Sequence, residues 1–217
     1  MLKVSPSDFA YLYQECKHCY YLKAKKNIPP PNGAFPRIFT DINSKIQNTL
    51  LNKNLKTLSP NLPDGIVESQ EEYITSARVK GTDLYIFGRY DLLIKKSDGG
   101  YLVVDLKISQ AKEDKVDIYK TQLFLYKYAF ENPASGTPKP IDQLALLVFY
   151  PESVTFEDSI ANIKLPPKFM EVPVDENAFF AFMKEVDELL KGPLPPESDS
   201  CNFCNYRKKF FGQQTLI

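Results

Sequence analysis

A net charge is the first thing this chain lacks. Its 27 basic and 27 acidic side chains cancel. No overall field of one sign surrounds the molecule, so any surface that attracts an anionic polymer must be a local patch. Two basic runs are present, Lys23–Lys26 within "KAKK" and Tyr206–Lys209 as "YRKK". Such runs also serve simply as solvated faces. No apolar run approaches the roughly 20 residues that span a bilayer, so no membrane contact is expected. No export signal is visible, which makes the cytoplasm the expected setting. Structural disulfides are rare there, and the four cysteines read better as metal ligands. Repeats and low-complexity segments are missing. Histidine nearly is: His18 stands alone.

What is present suits one domain. The chain has 217 residues, 43% of them hydrophobic, enough for a real core. A single domain over 1–217 is expected, with a helical segment (1–60) and a tail (193–217) forming a cysteine lobe. Ser5, Pro6 and Asp8 signal a helix start, and helix is expected from Pro6 to about Gln14. Ile42, Ile46 and Leu50 recur at fourfold spacing, which predicts an amphipathic helix. "EEYITSARV", "LYIFGRYDLLIKK" and "YLVVDLKIS" read as strands, the last two joined by the turn "SDGG". "KEDKVDIYKTQLFLYKYAFEN" is helical with Asp114 as candidate cap, "QLALLVFYP" is a buried strand, and "FMEVPV" is a short one. "DENAFFAFMKEVDELLKG" carries one apolar stripe, a cap at Asp175 and a stop at Gly192–Pro193. The order predicts an α/β fold, a mixed central sheet flanked by helices.

Two apolar strands carry groups that a core does not need. Asp105 and Lys107 are two apart and share a strand face, while Leu106 points the other way. Asp91 lies on the preceding strand, where hairpin pairing brings it near Asp105. Alone, Asp-x-Lys reads as a cross-strand ion pair. Two converging carboxylates would also hold a hard cation such as Mg²⁺ or Mn²⁺. The cation would polarise a phosphoryl oxygen, and Lys107 would offset charge developing on the phosphate. Gln122 and Tyr126 follow at i,i+4 on one helical face.

Gly88-x-x-Asp91, Val104-Asp105-Leu106-Lys107 and Gln122-x-x-x-Tyr126, in this order, resemble the PD-(D/E)XK nuclease superfamily. The likeness is to its RecB-like branch, which includes the iron–sulfur nuclease of CRISPR spacer acquisition. The resemblance implies a restriction-endonuclease-like core. It implies Asp91, Asp105 and the carbonyl of Leu106 as metal ligands and Lys107 as the catalytic amine. Gln122 and Tyr126 would support the active site. Many relatives add a His from an N-terminal helix. Here that helix offers Asp41 and Asn43, and Asp41 would supply an oxygen ligand.

Cys16-x-x-Cys19 and Cys201-x-x-Cys204 make a four-thiolate site if the termini meet. Thiolates at this spacing select zinc or an iron–sulfur cluster. The resemblance implies a [4Fe–4S] cluster, with zinc as the alternative. It also implies one cysteine upstream and three downstream. The third downstream position is missing near Phe210, and Cys16 would replace it. Lys208 and Lys209 would contact phosphates, and Tyr20, Tyr21 and Tyr206 would stack bases or pack around the metal lobe.

The expected function is a Mg- or Mn-dependent DNA nuclease, an exonuclease on single strands or DNA ends. It would act in DNA repair, recombination or CRISPR-type defence, beside a helicase or CRISPR adaptation proteins. A catalytically weak nucleic-acid-binding module of a larger complex is the alternative, and a purely structural interaction protein the third.

Overall fold

The computed structural model describes residues 1–31, 33, 36–112 and 114–214, with side chains as far as Lys209. The N-terminal part holds β1 (Leu2–Val4), a 3-10 turn (Pro6–Phe9), α1 (Leu12–Glu15), α2 (Lys17–Lys26) and α3 (Arg37–Leu50). Then come β2 (Gly65–Gln70), β3 (Tyr73–Arg78), β4 (Leu84–Arg89), β5 (Leu92–Lys96), β6 (Tyr101–Ile108) and α4 (Asp114–Glu131). The chain ends with β7 (Ile141–Phe149), β8 (Ser153–Glu157), β9 (Ile160–Lys164), β10 (Pro167–Val172), α5 (Glu176–Lys191) and α6 (Asn202–Gln214).

The central sheet runs β10-β7-β6-β5-β2. Only β6 and β7 are parallel within it, and α4 is the crossover that parallel pairing requires. The other pairs are antiparallel. The fold is thus mixed α/β, as the order of elements predicts. Side-chain alternation divides β6 between two cores. Val103 joins Leu93, Leu144 and Leu146 in a cluster with α4 and α5. Leu102, Val104 and Leu106 join Leu92, Ala145 and Leu147 in a second cluster with Leu50 of α3. The stripe on α5 buries Phe179, Met183, Val186 and Leu190, and Asp175 accepts from the N–H of Ala178 at 3.0 Å.

Several expectations shift in detail. The helix expected over Pro6–Gln14 is a 3-10 turn and one short α-helix, separated at Ala10 and Tyr11. Ser5 makes no side-chain cap there. The strand expected through "LYIFGRYDLLIKK" is two strands in two sheets. β4 lies between β1 and β3, whereas β5 belongs to the central sheet. Tyr90 and Asp91 form the corner between them. Its ring buried, Tyr90 packs edge-on against Phe130 at 4.8 Å and anchors that corner.

Gly88 precedes the corner and is required by space rather than by backbone angle. A Cβ there would stand 2.6 Å from Cδ of Pro6 and 3.2 Å from Cε1 of Tyr126. A proline ring is too rigid to yield. Gly88→Ala is expected to cost about 1–3 kcal/mol through overpacking. Thermal denaturation should show the melting point falling by several degrees, and an unchanged melting point would reject the tight contact.

Candidate functional site

The hairpin register sets the site. Leu92 pairs with Val104, which puts Asp91 and Asp105 at the same end of β5 and β6. Oδ2 of Asp91 accepts the backbone N–H of Leu106 at 2.7 Å. Oδ1 of Asp105 accepts Nε2 of Gln122 at 2.8 Å. Oδ2 of Asp105 lies 2.6 Å from Nζ of Lys107, yet it is buried and makes no directed hydrogen bond among the described residues. A buried carboxylate oxygen in this state retains lone pairs for a cation.

The charges act on one another. Burial, then the charge of Asp105, raises the Asp91 carboxyl from 3.8 to about 7, against the opposing effect of Lys107. Burial pulls the Lys107 ammonium down, but Asp105 and Asp91 outweigh it, and its pKa ends above the ordinary value. The ammonium also lies 4.4 Å from the centre of the Tyr119 ring. Tyr126 donates its hydroxyl to the carbonyl of Arg89 at 2.6 Å. Burial and the two carboxylates hold that hydroxyl well above the usual phenol range. So α4 supports the carboxylate of Asp105 through Gln122 and the corner through Tyr126.

Asp91, Leu106 and Lys107 line a cleft of about 720 Å³. Its other walls include residues that the sequence did not single out. Tyr119 lies three residues before Gln122, at the spacing of a shared helical face, and hydrogen-bonds Tyr11 across the cleft. Arg89 pairs with Glu71 at 3.4 Å. The backbone of Glu71 is left-handed (φ 52°), and its N–H donates to the carbonyl of Asp91 at 3.1 Å. No sequence signal marks this turn, because a left-handed glutamate is rare. Asn43 of α3 also lines the cleft, with its Oδ1 buried and unpartnered among the described residues. Asp41 is not brought to the cleft. It pairs with Arg37 at 3.5 Å along the exposed side of α3, two residues and about half a helical turn from Asn43.

The termini do meet. Cys16, Cys19, Cys201 and Cys204 are all buried, and their sulfurs lie within 4.8 Å of one another. Four thiols so placed could hold a metal ion. Each pair opens a helix, α2 or α6. His18 faces away into the linker, where Nδ1 lies 2.7 Å from the carbonyl oxygen of Pro195. Tyr20 and Tyr21 are buried and pack inside the lobe rather than offering stacking platforms, whereas Tyr206 is exposed. Lys208 pairs with Asp199 at 2.9 Å and Glu197 at 3.7 Å, and Lys209 is exposed. The side chain of Phe210 lies outside the described residues.

A mixed sheet whose central strand ends in Asp-x-Lys, opposite an aspartate at a strand corner, defines the PD-(D/E)XK class of nucleases. The family model described as the PD-(D/E)XK nuclease superfamily matches residues 22–208, and the chain belongs to that superfamily. The family implies a hydrolase acting on phosphodiester bonds. No curated protein sequence matches the chain. Solved structures share its fold, two of them as follows. The crystal structure of SSO0001 is 15% identical with a TM-score of 0.50, over 99% of this chain and 85% of that one. An alkaline exonuclease from Laribacter hongkongensis is 11% identical with a TM-score of 0.50, over 98% of this chain and 94% of that one. Among the described residues, no helix is long and apolar enough to cross a membrane.

Proposed function

We propose that the protein is a Mg²⁺- or Mn²⁺-dependent DNA nuclease that removes nucleotides from single strands or DNA ends. The observation that carries this reading is the convergence of Asp91 and Lys107 on one cleft, with Asp105 buried beside them and its Oδ2 2.6 Å from the Lys107 ammonium. Asp91, Asp105 and the carbonyl of Leu106 offer hard oxygen donors of the kind these cations take. The bound cation would supply Lewis acidity toward water and a phosphoryl oxygen. Lys107 places a fixed positive charge where the phosphate becomes more negative. Gln122 holds the rotamer of Asp105, and Tyr126 holds the corner that carries Asp91. Tyr11 and Tyr119 close one side of the cleft, where exposed Tyr11 offers its ring to a base and buried Tyr119 backs it edge-on. Lys209 is a phosphate contact, joined by Lys208 once its exposed ion pairs open. Such an enzyme would serve DNA repair, recombination or CRISPR-type defence in the cytoplasm, as one domain beside a helicase or CRISPR adaptation proteins.

A second reading, a catalytically weak DNA-binding module, is favoured by one observation. Helix α3 presents neutral Asn43 to the cleft rather than an ionisable side chain. Incubation with end-labelled single- and double-stranded DNA, with and without Mn²⁺, separates the two. The nuclease reading predicts shortening that requires the cation. Binding without any cation-dependent cleavage would favour the module.

The raised pKa of Asp91 sets a pH dependence. A cation competes with its proton, so Mn²⁺ affinity should rise by up to about tenfold per pH unit below pH 7 and level off above it. The sign for stability is opposite. The unfolded carboxyl loses its proton near pH 4 and the folded one near 7, so the cation-free fold loses stability as pH rises between these values. Melting curves at pH 5 and 8 check both. Mn²⁺ should raise the melting point more at pH 8, and an equal rise at both would contradict the assignment.

A further inference from the structure

We infer that the four cysteines hold a single tetrahedral zinc ion, with Arg207 as its charge-compensating partner, and not an iron–sulfur cluster. The spacing of the sulfurs carries the inference. Cys16 and Cys204 are 3.6 Å apart at sulfur, Cys19 and Cys201 3.6 Å, and Cys19 and Cys204 3.7 Å. Four sulfurs bound to one zinc at about 2.3 Å sit at tetrahedron corners about 3.8 Å apart. In a four-iron cube each cysteine sulfur stands outside its own iron, which spreads the four to about 6 Å or more. A two-iron cluster spreads sulfurs on different irons comparably. All four sulfurs here lie within 4.8 Å of one another, nearer the spacing of one zinc than that of either cluster.

The surroundings suit a compact anion. Entry of Zn²⁺ displaces the four thiol protons and leaves a doubly negative unit. Nη2 of Arg207, one turn beyond Cys204, donates to the sulfurs of Cys19 at 3.3 Å and Cys204 at 3.5 Å. The N–H of Cys19 points at the sulfur of Cys16 at 3.4 Å, and both pairs open helices, whose N-termini favour negative charge. Zinc is chosen over a lone ferrous ion because it binds a given thiolate set more tightly. Four protein ligands leave no open position, which makes the ion structural. It joins the N-terminal segment, whose Tyr11 walls the nuclease cleft five residues before Cys16, to the C-terminal helix.

The test is metal analysis of protein purified anaerobically from cells supplied with both iron and zinc. A single zinc per chain, without iron, acid-labile sulfide or absorption near 400 nm, is expected. Iron with sulfide would restore the cluster, iron without sulfide would replace zinc, and absence of both metals would overturn the site altogether. Arg207→Gln tests the partner while leaving every ligand in place. Chelator competition should show zinc held about tenfold more weakly, and unchanged affinity would remove Arg207 from the site. None of these readouts depends on nuclease activity, so the two proposals stand or fall separately.

Discussion

Lys107→Ala should leave a folded protein whose Mn²⁺-dependent DNA cleavage is reduced at least a few hundredfold. A fixed charge aimed at a developing oxyanion typically contributes about 10²–10³ in rate. Lys107 is well suited to that role, because Asp105 and Asp91 keep it protonated despite its burial. The loss should fall on kcat, since the charge matters most where the phosphate is most negative. Asp105→Ala should be as severe for a different reason. It removes a cation ligand and leaves Gln122 without its acceptor. Single-turnover cleavage of labelled single-stranded DNA, with circular dichroism as the control for folding, measures both variants. Full residual activity in either would reject the role given to that residue.

Cys16→Ser should have the largest effect on stability. Cys16 and Cys204 are 188 positions apart, so their shared site closes almost the whole chain into a loop. The lobe has other ties. Lys25 donates to the carbonyl of Leu190 at 2.6 Å, and Tyr21 to that of Gly192 at 3.2 Å. Those neutral acceptors are modest contributions beside a metal link. Loss of one thiolate is expected to cost on the order of 3–5 kcal/mol. For a chain of this size that lowers the melting point by about 10 °C. The effect should also be local to both ends at once. Hydrogen exchange should accelerate together in α2 and α6 while β6 and β7 stay protected. Loosening of α6 alone would mean that the N-terminal segment is held by packing rather than by the shared site.

The candidate site is legible in the sequence where chemistry contradicts pattern. Asp105 and Lys107 stood out because an apolar strand has no other use for them, and the two-residue period placed them on one face. Gln122 and Tyr126 share a helical face by their spacing, but the family resemblance is what singles them out. The missed residues lacked such contrast. Tyr119 and Tyr11 look like ordinary aromatic packing until the fold brings them together across the cleft. Glu71 enters through a left-handed turn between β2 and β3, which no local residue signals. Asp41 and Asn43 both offer oxygens in the sequence, and the helical turn decides that Asn43 rather than Asp41 lines the cleft.

The fold was read in the same way. Helices α3 and α5 carry clear stripes and were placed. Helix α2 was missed because its buried residues are His18, Cys19, Tyr20 and Tyr21, consecutive positions that form no stripe. The hairpin of β8 and β9 is harder to read because it is exposed on both faces: Val154 and Phe156 alternate with polar residues, yet they bury against no core. The break at Tyr90–Asp91 was invisible because both flanking segments have strand composition. It is nonetheless the feature that positions Asp91, since a chain leaving one sheet for another must turn there.

Calorimetric titration of Mn²⁺ into the wild-type protein and Asp91→Asn tests the shared cation most directly. The asparagine keeps an oxygen for the N–H of Leu106 and removes only the charge. The account predicts one cation bound by the wild type at pH 8 and none detectable in the variant at the same concentrations. Equal binding by both would place the cation elsewhere and contradict the site.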